Sequence, residues 1–174
     1  MSPLPQYIVD SDVFISAKNA YYAFDICPGF WDSLIFHYQR GSVGSIDAVR
    51  RELLAGRKTE DLVLWVKNQV PADFFDSTEE EDVIEAYSEI MLWAQRHPQY
   101  FDRAKAKFAT EADGWLVAYA MAHGGIVVTQ EQPSPDSKNR ILLPDVCNQF
   151  GVAYQDTFLM LKALEARFVW EGGS

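Results

Sequence analysis

Ile126-Val127-Val128-Thr129, four β-branched residues in a row, is the clearest buried strand of the chain, and the polar residues directly after it narrow the fold. Gln130-Glu131 ends the apolar run at once, so an acid stands just past the end of a strand. The chain opens the same way, with the short apolar run Tyr7-Ile8-Val9 ended by Asp10-Ser11-Asp12. Runs of this kind suit central strands of a parallel sheet, which are buried on both faces. Helical patterns separate them. Phe30, Trp31, Leu34, Ile35 and Tyr38 predict a helix from Pro28 to Arg40, with Arg40-Gly41 as its stop.

Ser42-Val43-Gly44-Ser45 reads as a brief second strand, and Ser45 or Asp47 as the cap of a helix carrying Val49, Glu52, Leu53 and Leu54 up to Gly56. A helix from about Glu60 to Gln69 and a short edge strand around Phe74-Phe75 come next. Ser77 and Glu80 form a capping-box signature for a long helix through Gln95, broken by His97-Pro98. Thr110 and Asp113 open a further helix, which runs through Trp115, Leu116, Tyr119 and Ala122 to Gly124-Gly125. After the 126–129 strand come a polar loop from Gln130 to Arg140, a short helix after Pro144, a last strand at Val152-Ala153-Tyr154 and a helix from Thr157 to Ala166 capped by Asp156. Strands alternating with helices predict an α/β fold, a three-layer α/β/α sandwich around a mainly parallel sheet. The 174 residues are read as one domain over 1–170 with a disordered tail over 171–174.

Four acidic stations emerge: Asp10 with Ser11 and Asp12, Glu52, Asp113, and Thr129 with Glu131. In a parallel sheet the carboxyl ends of strands converge on one crevice, where residues distant in sequence meet. Carboxylates gathered there repel one another and take up protons unless a divalent cation neutralises them, so the pattern reads as a Mg²⁺ or Mn²⁺ site. Taken singly, each acid has an ordinary explanation as a turn former, a helix-start acid or a surface ion-pair partner. Asp145 is a possible further member.

With 25 acidic against 15 basic residues, the formal charge is −10, which argues against broad nucleic-acid affinity but leaves room for a local basic groove. Candidate phosphate contacts are Arg51 with Arg50, Arg57 and Lys58; Arg103, Lys105 and Lys107; and Lys138 with Arg140. Cys27 and Cys147 form no CxxC pair and no histidines cluster, which disfavours structural zinc; both read as buried thiols of a reducing cytosol. His37, His97 and His123 stand in no suggestive motif. Met1 to Gln6 lacks the features of a signal peptide, and no apolar run approaches the roughly 20 residues of a membrane span, so the expected location is cytoplasmic.

Hydrophobic strand, Asp10, Ser11 and Asp12; Glu52 within Arg51-Glu52-Leu53; Asp113 within Ala112-Asp113-Gly114-Trp115-Leu116-Val117-Ala118; and Val128-Thr129-Gln130-Glu131 together resemble PIN-domain nucleases, with Glu131 where Asp is commoner. Tyr21-Tyr22-Ala23-Phe24-Asp25-Ile26-Cys27-Pro28-Gly29-Phe30-Trp31 and Leu143-Pro144-Asp145-Val146-Cys147 are similar to a bacterial PIN-like subfamily of uncharacterised function, related to the VapC-like toxins. The resemblance implies a metal-dependent ribonuclease in which Asp10, Glu52 and Asp113 hold one or two Mg²⁺ or Mn²⁺ ions with help from Glu131, directly or through water. Ser11, Asp12, Thr129 and Asp145 would support them, and Arg51, Lys138 and Arg140 would contact RNA. It also implies the toxin half of a toxin–antitoxin pair with a protein antitoxin as partner. A homodimer through the aromatic helix at Phe30-Trp31-Leu34-Ile35 is a further option. Two alternatives stay open: a non-catalytic PIN-like binding module, and a phosphatase of the haloacid dehalogenase type, whose nucleophile motif is also Asp-x-Asp.

Overall fold

A computed structural model describes residues 5–173. Met1–Leu4, part of the segment read as lacking a leader, and Ser174, the end of the expected tail, lie outside the described residues. Five strands, β1 (Tyr7–Val9), β2 (Val43–Ile46), β3 (Phe75–Asp76), β4 (Ile126–Val128) and β5 (Ala153–Gln155), form one sheet in the order β3-β2-β1-β4-β5. Every pairing is parallel. Tyr7 aligns with Val43 on one side and Ile126 on the other, Ser45 aligns with Phe75, and Val128 aligns with Gln155. β1 is therefore central, and Ile8 and Val9 are fully buried.

The order reverses between β1 and β4. Right-handed crossovers from β1 through β2 to β3 place their helices on one face, while the return to β4 and the step to β5 place theirs on the other. The first group is α1 (Ser11–Ser16), continued by a π turn over Ala17–Tyr21, then α2 (Pro28–Gln39), α3 (Asp47–Leu54) and α4 (Asp61–Asn68). The second is α5 (Glu81–Arg96), α6 (Asp102–Phe108), α7 (Asp113–His123) and α8 (Leu143–Phe150), with α9 (Thr157–Ala163) closing the chain. α1 packs with α3 and α3 with α4, whereas α7 packs against α5 and α8. The result is a three-layer α/β/α sandwich. Among the described residues no helix is long and apolar enough to cross a membrane.

Local departures from the sequence reading have identifiable causes. Ser45 does not cap α3, because its hydroxyl donates to the Val9 carbonyl across the sheet at 2.6 Å. Asp47 sits at the first helical position rather than at the cap, accepting from Ala48 N and from the Thr78 hydroxyl. The Ser77/Glu80 capping box does not form: Ser77 Oγ accepts from Glu79 N, and Glu80 itself occupies the N-cap without a side-chain bond. α7 starts at Asp113 after Ala112, and the Thr110 hydroxyl instead donates back to the Lys107 carbonyl. Asp156 caps α9 through Leu159 N at 2.8 Å, as expected. Phe30, Trp31 and Leu34 are buried in the chain's own core, with Trp31 stacked on Phe24, so these three residues of α2 pack internally, while Ile35 is half-buried. Helices α1 and α6 are additions to the elements expected from the sequence pattern. Glu171–Gly173 carry no regular structure.

Gly125 enters β4 at φ +112°, and a Cβ there would meet Ile8 Cδ1 at 3.1 Å and the Pro5 and Gln6 carbonyls at 3.3 Å. Gly124, at φ +78°, has open space around it. Gly125→Ala is expected to lower stability by about 1–3 kcal/mol, combining backbone strain with displacement of the neighbouring strand. Gly124→Ala meets the strain alone and costs less. Urea denaturation of both variants checks the ordering.

Candidate metal centre at the β1–β4 switch point

A doubly wound sheet leaves a crevice where neighbouring strands send their chains to opposite faces, and here that place is the carboxyl ends of β1 and β4. The sequence puts acids there directly. Asp10 follows β1 and forms the N-cap of α1, its carboxylate accepting from Ser11 N at 2.7 Å. Thr129 follows β4, with its hydroxyl 3.0 Å from Asp10 Oδ2 and 3.1 Å from Asp12 Oδ2. Asp12 takes both oxygens to Gln130 N, at 3.0 and 3.2 Å, and so ties the two strand exits together.

Helices deliver the remaining acids. Ser11 Oγ lies 2.7 Å from Glu52 Oε2 and 3.4 Å from Asp10 Oδ1; its single proton goes to the nearer, Glu52. The other Glu52 oxygen accepts from Ala112 N at 2.6 Å, at the residue before α7 begins. Glu52 thus joins α1, α3 and α7. Asp113, the first residue of α7, is 6% exposed, and its Oδ2 is buried without a hydrogen-bond partner. Glu131 is held by Arg140 at 3.0 Å and by Leu143 N at 2.9 Å.

Asp10, Asp12, Glu52, Glu111, Asp113 and Glu131 line a cleft of about 390 Å³ together with Ser11, Ile15, Ser16 and Arg140. All four stations named from the sequence therefore meet in one place. Three supporting candidates do not join them. Asp145 turns away to accept from Ser134 N at 3.0 Å, which fixes the loop before α8. Arg51 is exposed and faces Asp47 one helical turn back, at 3.9 Å. Lys138 is exposed and does not line the cleft, its backbone carbonyl serving Phe101 N. Arg140 is the cation that does. Glu111 is a cleft acid outside the four stations, and no sequence signal sets it apart from a solvated acid.

A family model described as a domain of unknown function (DUF4411) matches residues 7–168. The chain belongs to the DUF4411 family. The match spans all five strands and all six cleft carboxylates of this DUF4411 chain. The sequence has no significant match among curated proteins.

Electrostatics decide what the DUF4411 cleft can hold. Burial first, then the charges of Asp12 and Asp113, push the Asp10 carboxyl well above the usual range. Asp113 is pushed the same way by burial and by Glu131, Glu111, Glu52 and Asp12. Asp12 and Glu111 are also raised, chiefly by burial. Behind them the fully buried Cys147 thiol is pushed up to about 12 by burial and by Asp113 and Asp10, so it stays protonated and inert. Cys27 is only half-buried.

Among the described residues no three Asp, Glu, His or Cys groups form a ready-made cage for an ion. Glu52, Glu131 and Asp12 spend their oxygens on protein donors instead. The donor set nevertheless fits a hard divalent cation. It offers carboxylate oxygens, it is too crowded to stay ionised on its own, and it contains the orphaned Asp113 Oδ2.

The raised carboxyls set the pH response of the metal-free chain. Below the unfolded carboxyl value of about 3.8, Asp10 and Asp113 are protonated in both states and cost nothing. Above it the unfolded chain releases these protons while the folded chain retains them, so the native state loses stability as pH rises until the folded groups ionise. Asp113→Asn is expected to flatten that slope and to raise metal-free stability at neutral pH and above. Denaturant titrations in chelator across pH 4–8 measure both.

Proposed function

We propose that the chain is a metal-dependent endoribonuclease of the PIN type, acting as the toxin of a toxin–antitoxin pair. The observation that carries the reading is the buried, unpartnered Asp113 Oδ2 in a six-carboxylate cleft at the β1–β4 switch point. Asp10, Glu52, Asp113 and Glu131 are the residues that would hold Mg²⁺ or Mn²⁺. When bound, such cations supply an activated water and neutralise charge on the phosphoryl and leaving oxygens.

The chain's own residues prepare that chemistry. Ser11 orients Glu52, and Thr129 bridges Asp10 and Asp12, so the first acid is fixed from both strand exits. Arg140 stands at the edge of the cleft, half-exposed and bound to Glu131, where its guanidinium can pass to a substrate phosphate. A protein antitoxin presenting cationic side chains would be attracted to the same negative cleft. The phosphatase alternative loses support, because Asp10 is 2% exposed and both its oxygens have protein partners, a poor setting for in-line attack on phosphorus. One observation favours a non-catalytic module: Glu52 and Glu131 are fully engaged by protein donors.

The test is cleavage of labelled single-stranded RNA by the purified chain with Mn²⁺, in parallel with growth after induced expression. The parent is expected to cut and to arrest growth, with cleavage abolished by chelator. Asp10→Asn is expected to lose at least about 10²-fold, and Ser11→Ala, which frees Glu52 on one side, about 10- to 100-fold. No cleavage by a folded, Mn²⁺-loaded chain would leave the binding-module reading in its place.

A further inference from the structure

Basic residues are unevenly placed in this acidic chain. Residues 96–107 and 132–142 hold six of its fifteen Lys and Arg side chains, Arg96, Arg103, Lys105, Lys107, Lys138 and Arg140, against Asp102 and Asp136, a local +4 in a chain of formal −10. The fold joins these two segments. Phe101 N donates to the Lys138 carbonyl at 3.0 Å, Gln99 Nε2 donates to the Pro135 and Ser137 carbonyls at 2.6 Å each, and Arg103 Nη2 donates to Asn139 Oδ1 at 2.5 Å. The loop from Gln130 to Arg140 is thereby fixed against the start of α6.

Three of the cations lead from that seam to the cleft. Arg103 and Lys107 are one turn apart on one face of α6, Arg103 reaching the residue next to Arg140 and Lys107 standing 3.6 Å from Glu111, which lines the cleft with Arg140. Lys107 and Arg140 both lower the Glu111 carboxyl against the effect of its burial, so both cations stand beside it. Lys105 turns elsewhere, donating to the Gln95 carbonyl at 2.8 Å. The Lys107 and Arg140 side chains are 58% and 46% exposed, each in an ion pair of the kind readily exchanged. At the outer end Phe101 is 48% exposed, with the Arg103 guanidinium 5.5 Å from its ring centre. An exposed ring beside a cation is a surface on which a base can stack.

We propose that Phe101, Arg103, Lys107 and Arg140 form a track that holds single-stranded RNA as it leaves the cleft, the cations on its phosphates and the Phe101 ring on one base. This rests on the proposed nuclease reading and assigns the surface that grips the strand beyond the scissile bond. A chain this acidic holds a polyanion only through a local cationic surface, and this one adjoins the cleft. Stacking accepts any base but requires it unpaired, so the track selects single strands rather than a sequence.

The experiment is fluorescence anisotropy of a labelled single-stranded RNA with the full chain across a salt series, in Ca²⁺ so that the carboxylates are occupied, with cleavage in Mn²⁺ assayed separately. The parent is expected to bind with an affinity that falls as salt rises. Arg103→Ala and Lys107→Ala are each expected to weaken binding and to reduce the slope of log affinity against log salt by about 0.7, the value for one phosphate contact on a single strand. Arg103→Lys keeps the slope, and Phe101→Leu loses about tenfold in affinity with the slope unchanged. Lys67→Ala, the same change of charge at an exposed position on α4, is the control. Track variants that bind like Lys67→Ala, or a parent that binds no RNA, overturn the track, and cleavage by the parent still upholds the nuclease reading. Weakened binding in the track variants of a parent that cuts nothing supports the track and overturns the nuclease reading. A poly-glutamate peptide bound as tightly as RNA, with Phe101→Leu indifferent, names an acidic peptide as the occupant and overturns the proposal.

Discussion

The burial of carboxylates beside one another at the junction of β1 and β4, costly first by desolvation and then by mutual repulsion, is the constraint around which this molecule is arranged. Isolated acids at strand ends would turn to water, yet Asp10 and Asp113 are driven almost wholly inside. They stay there because the elements carrying them are held from elsewhere: Ile8, Val9, Val127 and Val128 are fully buried in the sheet, and Leu116 and Val117 anchor α7 beneath it. Apolar burial outweighs the local electrostatic cost, an imbalance usual where a fold maintains a functional site at the expense of stability.

Around the two buried acids the protein builds a scaffold of donors. A serine, a threonine and backbone N–H groups of Gln130, Ala112 and Leu143 take up the neighbouring carboxylates, from four separate parts of the chain. Glu52 shows the principle best. Its two oxygens are fixed by residues from α1 and from the entrance to α7, so a side chain on a third helix acquires a defined direction. Such support distinguishes a preorganised centre from a chance acidic surface.

The strand runs that define the sheet were legible because parallel strands buried on both faces leave continuous apolar segments, as Tyr7–Val9 and Ile126–Val128 do. The meeting of Asp10, Glu52, Asp113 and Glu131 was legible for a topological reason: all follow strand ends or lie on helices at the same edge. Caps were less readable. Ser45 and Ser77 carry the right side chains for helix starts, but Ser45 found a carbonyl across the sheet and Ser77 closed its own turn, both tertiary outcomes of packing. Glu111 was not legible, because nothing in a sequence tells a rim acid from a solvated one until the cleft exists. Arg51 and Lys138, read as phosphate contacts, do not line the cleft, and the same ambiguity applies to them, since cationic residues near a site in sequence lie on either face of a helix or loop.

The hydrogen bonds that assemble the cleft span long stretches of chain: 41 residues from Ser11 to Glu52, 60 from Glu52 to Ala112, and 119 from Asp10 to Thr129. None can form from local structure alone, and closing such loops is slow relative to helix formation. During synthesis the first acid emerges long before its last partners, and Glu131 gains its Leu143 clamp only when α8 begins. A partly made or partly unfolded chain therefore carries every carboxylate but no cleft, and whatever chemistry the site performs is confined to the finished molecule.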